Sequence, residues 1–95
     1  MPAYFIVEVE VTDPAAYERY KPLAGASVAR HGGKFLVRGG RAETLEGGWE
    51  PKRIVVLEFP SMEAARRFYD SPDYQEALKL RLAASRSKAI LVEGG

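Results

Sequence analysis

The stretch from Arg53 to Tyr74 constrains this chain more than any other, because it sets three elements and the joints between them in one short span. Ile54-Val55-Val56-Leu57 is a continuous apolar, β-branched run of strand character. Ser61 and Ser71 each stand where a helix N-cap belongs, and Pro72 follows the second at the first helical position. The spacing predicts a strand over Arg53 to Phe59, a helix over about Met62 to Asp70 and another over about Pro72 to Ser87. Tyr69, Ser71 and Tyr74 then meet at one corner beside an apolar sheet. Such a corner can hold a small polar molecule, although it contains no obvious nucleophile, metal ligand set or cofactor motif.

The N-terminal segment alternates. From Ala3 to Val11 it sets Phe5, Val7, Val9 and Val11 on one side and Tyr4, Ile6, Glu8 and Glu10 on the other, which predicts a strand. Thr12-Asp13-Pro14 supplies a cap and a first-turn proline for a helix carrying Tyr17, Tyr20, Ala24, Val28 and His31 at helical spacing. Pro22 inside that helix is expected to kink it or split it in two. Gly32-Gly33 ends the helix, Lys34 to Arg38 forms strand two, and Gly39-Gly40 allows a bulge or bend after which the strand can resume through Leu45. The segment Glu46 to Pro51 has the turn residues of a hairpin connection, so strands two and three are expected to be antiparallel neighbours. Lys88 to Glu93 is the last expected strand.

The resulting order, βαββαβ, predicts an α+β, ferredoxin-like fold: a four-stranded antiparallel sheet with its helices on one face. The other face is then decisive. Tyr4, Ile6, Ile54 and Val56 point away from the side that carries Phe5, Val7, Val55 and Leu57, so both faces need burial. Ninety-five residues allow one domain, spanning residues 1–95. A chain this short buries only roughly 60–70% of its unfolded surface and gains from association. A homodimer packed through the open sheet faces, with Glu8, Glu10 and Glu58 at the rim, meets that need.

Charge and composition exclude several functions. Fourteen Lys and Arg against thirteen Asp and Glu leave a net charge of +1, too balanced to attract a phosphate backbone, so no nucleic-acid partner is expected. The chain has no cysteine and one histidine, which argues against a metal site and against thiol chemistry. Neither a signal peptide nor a membrane span is read, and the expected compartment is the cytoplasm. No Gly-x-Gly-x-x-Gly or Walker pattern surrounds the glycines, so they are assigned to turns rather than to a phosphate cradle. Ser71 lacks a Gly-x-Ser-x-Gly setting and a neighbouring base, which argues against hydrolase chemistry.

Five side chains remain as candidate substrate-binding groups: Arg38, Tyr69, Ser71, Tyr74 and Arg81. Each has an ordinary structural role as well. Arg38 can pair with Glu8, Glu10 or Glu58; Ser71 can simply cap a helix; Tyr69 and Tyr74 can sit at the core edge; Arg81 can snorkel over the sheet. Tyr74, Arg81 and Ser85 share one helical stripe and can form a polar seam. His31 is the one plausible catalytic acid or base, and its ordinary role is a helix cap. Trp49 serves either as a lid over a pocket or, by preference, as an aromatic plug at the dimer seam.

The chain resembles the DUF1330 family over about Ala3 to Glu93. The likeness rests on His31-Gly32-Gly33, Arg38-Gly39-Gly40, Leu45-Glu46-Gly47 with Trp49, Arg53, Glu58-Phe59-Pro60-Ser61, Ala64-Ala65, Phe68-Tyr69, Ser71-Pro72, Tyr74 and Arg81, in that order. Phe68 stands where many relatives carry tryptophan. The resemblance implies a dimeric α+β barrel whose sites lie between sheet and helices. It does not imply a reaction, because that superfamily includes cofactor-free monooxygenases, muconolactone isomerases, haem-degrading enzymes and ligand sensors. Haem would need an axial ligand, and only His31 qualifies; no cofactor is expected. The reading reached is a homodimer that binds a small polar or aromatic carboxylate-like metabolite, with proton transfer beside a stabilised enolate as the economical chemistry. The alternatives are a non-catalytic dimerisation or ligand-sensing module and a cofactor-free monooxygenase.

Overall fold

A computed structural model describes all 95 residues. The elements are β1 (Ala3–Val11), α1 (Pro14–Arg30), β2 (Lys34–Arg38), β3 (Arg53–Phe59), α2 (Met62–Asp70), α3 (Pro72–Ala84) and β4 (Ser85–Glu93). The strands form one antiparallel sheet in the order β2-β3-β1-β4, the ferredoxin-like arrangement. No helix is long and apolar enough to cross a membrane.

Alternation in β1 sets the layers. Ala3, Phe5, Val7 and Val9 are buried under the helices, and their cross-strand partners Phe59, Leu57 and Val55 on β3 are buried with them. Phe68 of α2 and Tyr74 of α3 stack at 4.4 Å between ring centres, and Phe59 packs on Phe68 at 4.8 Å. Gly33, between α1 and β2, permits this packing: a Cβ there would lie 2.5 Å from Cε1 of Phe59.

The caps are as the sequence predicts. Asp13 accepts from the Ala16 amide at 3.2 Å and Ser61 from the Ala64 amide at 3.0 Å. Three boundaries differ from expectation, and helix α1 is not split. Helix α1 runs unbroken through Pro22, which together with Glu18 faces outward, so the Glu18 carbonyl that loses its amide partner can be hydrated. Strand β2 ends at Arg38 and does not resume through Leu45, because its register, Arg38 opposite Val55, leaves almost no β3 to pair with further on. The chain bends at Gly39, as expected, and a separate register shift falls between Phe35 and Val37. Helix α3 stops at Ala84, where the Ala84 carbonyl accepts the Thr12 and Asp13 amides at 2.8 and 3.0 Å. Strand β4 therefore begins at Ser85, with Ser85 paired to Val11.

The face opposite the helices carries Tyr4, Ile6, Ile54 and Val56, all half-buried, with Val37, Ile90 and Val92 exposed beside them. Acids lie along this surface. Glu8 accepts from Trp49 Nε1 at 3.2 Å and from the Lys52 amide at 3.1 Å, while Glu58 pairs with Lys34 at 3.1 Å. Trp49 is thus tied to the open sheet face rather than folded over the helical side.

Candidate functional site

Ser71 joins α2 to α3. Its hydroxyl donates to the Phe68 carbonyl at 2.7 Å and accepts the Tyr74 amide at 3.3 Å, so one side chain closes one helix and opens the next. Both of its hydrogen-bonding capacities are used in capping. Tyr69 points the other way, half-buried in an open groove of about 540 Å³ beneath α2 and beside β4, with Met62, Arg66 and Leu91. That groove is wide but shallow, mostly apolar, and has no unpartnered buried polar atom.

Tyr74 and Arg81 point inward instead. They line a smaller cavity of about 40 Å³ between α1, α3 and the sheet, together with Tyr17, Tyr20, Phe68, Val7 and Val9. Arg38 and Arg53 line it from β2 and β3. Room of this size is enough for a few waters or one small polar group. Within it the hydroxyls of Tyr20 and Tyr74 meet at 2.8 Å, and burial pushes the Tyr20 phenol far above its ordinary pKa, with the Tyr74 hydroxyl adding to the effect.

The charges are the unusual feature. Arg81 is only 2% exposed, yet its sole regular side-chain bond is from Nη1 to the Ser87 hydroxyl at 2.6 Å, and its Nε is buried without a partner. The snorkelling role is therefore overturned. Arg53 also keeps a buried, unpartnered Nε; its guanidinium lies 5.8 Å over the Tyr17 ring. Arg38 stacks at 3.9 Å over Phe35 and forms no ion pair. The expected pairing with Glu8, Glu10 or Glu58 fails for a reason of register. Arg38 lies opposite Val55 on the helical face, whereas those glutamates point to the other face. No aspartate or glutamate lines the cavity, and the lining contains no histidine, serine or cysteine.

Gly39 lies behind Arg53. Its positive φ of 72° and its amide bond to the Ile54 carbonyl at 2.8 Å bring its backbone against Arg53, where a Cβ would overlap the guanidinium. Local sequence thus shapes the position of a charged group.

Of the expected binding residues, the structure gathers Arg38, Tyr74 and Arg81 around one cavity and leaves Tyr69 and Ser71 outside it. His31 is also outside. It caps α1, with Nδ1 2.9 Å from the Ser27 carbonyl and its ring edge-on to Phe68 at 6.0 Å. Arg53, Tyr17 and Tyr20 were not singled out from sequence as site residues. The signal for Arg53 was present: it sits two and four residues before Val55 and Leu57, so it shares their inward face. Tyr20 shares the buried α1 stripe with Tyr17 and Ala24, a pattern that a plain core residue also satisfies. No set of three or more His, Cys, Asp or Glu side chains is placed to hold a metal ion.

No curated protein matches the chain. Among solved structures, it is similar to a protein of unknown function from Rhodopseudomonas palustris, with 25% identity, a TM-score of 0.80 and coverage of 99% of this chain and 82% of that one. It shares its fold with SnoaB, a cofactor-independent oxygenase from Streptomyces nogalater (21% identity, TM-score 0.68, coverage 99% and 93%). A dimeric ferredoxin-like protein of unknown function from Jannaschia sp. CCS1 is likewise similar in fold (18% identity, TM-score 0.67, coverage 99% and 100%). Residues 2–95 match the family described as Domain of unknown function (DUF1330), and with that match over nearly its whole length the chain belongs to the DUF1330 family.

Proposed function

We propose that the protein is a homodimer, paired through the open sheet face, that binds a small polar or aromatic carboxylate in the cavity between helices and sheet. One observation carries the ligand reading: a guanidinium buried to 2% exposure, with no carboxylate in reach and an Nε lacking any partner. A buried cation without a counter-ion is costly, and a carboxylate ligand removes that cost with paired charge-assisted hydrogen bonds. Arg81 is the inner anion partner and Arg38 the outer one, with the Tyr74 hydroxyl as an orienting donor. The aromatic lining favours a flat or apolar body behind the carboxylate.

Proton transfer by His31 draws no support from the geometry, since its ring lies off the cavity and its Nδ1 is engaged by the Ser27 carbonyl. The reading is therefore one of binding. Calorimetry and thermal-shift measurements with benzoate and pentanoate test it. Saturable binding at millimolar concentration that is lost in Arg81→Met and weakened in Arg38→Ala supports it. No binding, or binding indifferent to both substitutions, rejects it in favour of the dimerisation-module alternative. Cofactor-free oxygenation rests on likeness of fold alone, and oxygen uptake with a quinol is the measurement that separates it.

A further inference from the structure

The cavity's arginines are not clustered at a point; strand register spreads them, while its one lysine, Lys21 on α1, is already paired with Glu18 at 2.8 Å. Val9 of β1 is paired with Arg53 on β3 and with Ser87 on β4. Arg81 reaches from α3 to the Ser87 hydroxyl. One guanidinium is thus held above β4 while the next rises from β3; the Ser87 and Arg53 backbones lie two strand spacings apart, about 10 Å. Arg38, opposite Val55, is the diagonal neighbour of Arg53 on the same face, at about 7–8 Å. The inner position is enclosed and the outer pair reaches the surface, since Arg38 is exposed and Arg53 half-buried.

Two like charges side by side on one sheet face repel, and a protein normally places an acid between them. Here none is present: neither Arg38 nor Arg53 pairs with a carboxylate, and Gly39 yields its side-chain space to the Arg53 guanidinium. The floor between the inner and outer positions is Val9, an apolar surface. The cavity lined by these three arginines holds only about 40 Å³ in all, room for one carboxylate, so the remainder of a ligand must extend out of it past the exposed Arg38.

We infer that the site is built for a dicarboxylate with a short hydrocarbon or aromatic spacer, one carboxylate on Arg81 and the Tyr20–Tyr74 hydroxyls, the other on Arg53 and Arg38. This rests on the carboxylate-binding reading and narrows its substrate class. Arg53 becomes a specificity-determining residue, since it serves the second carboxylate.

Calorimetry at low ionic strength with pairs matched in carbon number, glutarate against pentanoate and terephthalate against 4-methylbenzoate, tests the inference. The wild-type protein is expected to bind each dicarboxylate at least about tenfold more tightly than its partner, the effect of one added charge-assisted contact. Arg53→Met should narrow that ratio to about threefold or less. Arg38→Met, at an exposed position where folding is not at risk, should narrow it in the same direction. Equal affinity for both members of a pair in the wild type overturns the dicarboxylate inference and leaves carboxylate binding standing. The same holds if Arg53→Met weakens both members equally. Failure of all four acids to bind overturns the underlying reading as well.

Discussion

The hydroxyls of Tyr20 and Tyr74, fifty-four residues apart in the chain, lie 2.8 Å from each other in the buried layer between α1 and α3. Replacing either tyrosine by phenylalanine takes away the other hydroxyl's partner in this buried layer, at a cost of about 1–2 kcal/mol. The double variant Tyr20→Phe/Tyr74→Phe leaves nothing stranded and should be destabilised by less than the sum of the singles. Urea denaturation of the four proteins gives the coupling, and strict additivity would contradict the bond.

Arg81 holds a charge in the core with no acid to balance it. In ligand-free protein, Arg81→Met should therefore raise stability, by about 1–3 kcal/mol, through removal of desolvation cost and an unsatisfied donor. Stability gained with ligand binding lost is the pattern of a residue kept for a site. A marked drop in the melting temperature of the variant would show that Arg81 is structural instead.

Gly39 combines a φ of 72° with a backbone pressed on Arg53. Gly39→Ala should cost about 1–2 kcal/mol from strain in the left-handed region together with the displaced guanidinium. In an Arg53→Ala background the same substitution should cost less, because only the backbone strain remains. Equal costs in the two backgrounds, measured by chemical denaturation, would remove the steric link.

The Asp73 carboxyl, at the start of α3, is held at a pKa of about 2 against an ordinary 3.8, by the neighbouring Ser27 hydroxyl first, with a backbone amide of the α3 N-terminus and Arg30 adding to the effect. Arg30 Nη1 is 2.6 Å away, while the Ser27 oxygen lies outside regular hydrogen-bond geometry. A depressed carboxylate pKa means that the folded state binds the proton less readily than the unfolded chain. Its stabilising contribution is complete above about pH 4 and falls away as pH drops toward 2. Asp73→Asn should flatten the stability profile across that window; an unchanged profile would contradict the coupling of Asp73 to α1.

On the open face of the sheet, Ile6 is flanked by Val56 and Ile90. If two copies meet there, Ile6→Lys places paired charges at the centre of the interface and should convert a micromolar dimer to a folded monomer. Sedimentation with circular dichroism reads both quantities. A wild-type protein that sediments as a monomer removes the dimer proposal.

Local chemistry in the chain determined the elements and their layering. Serine and aspartate caps, first-turn prolines and strict alternation in β1 act within a few residues, so the ferredoxin-like order could be read before any coordinates. Arg38, Tyr74 and Arg81 stood among the binding candidates together with Tyr69 and Ser71, and sequence spacing did not separate the two groups. Boundaries at Ala84 and Arg38 were less legible, because they depend on partners elsewhere: the Thr12 and Asp13 amides in one case and the short reach of β3 in the other. Tertiary structure alone decided which candidates meet. Ser71 is consumed by two caps, Tyr69 turns to another groove and His31 faces Phe68, while Arg53 and Tyr20 enter from positions that sequence spacing marks only as core. The physical reason is that a site of guanidinium groups depends on strand register and on the absence of nearby acids. Both are relations between distant segments, and no local pattern of residues encodes them.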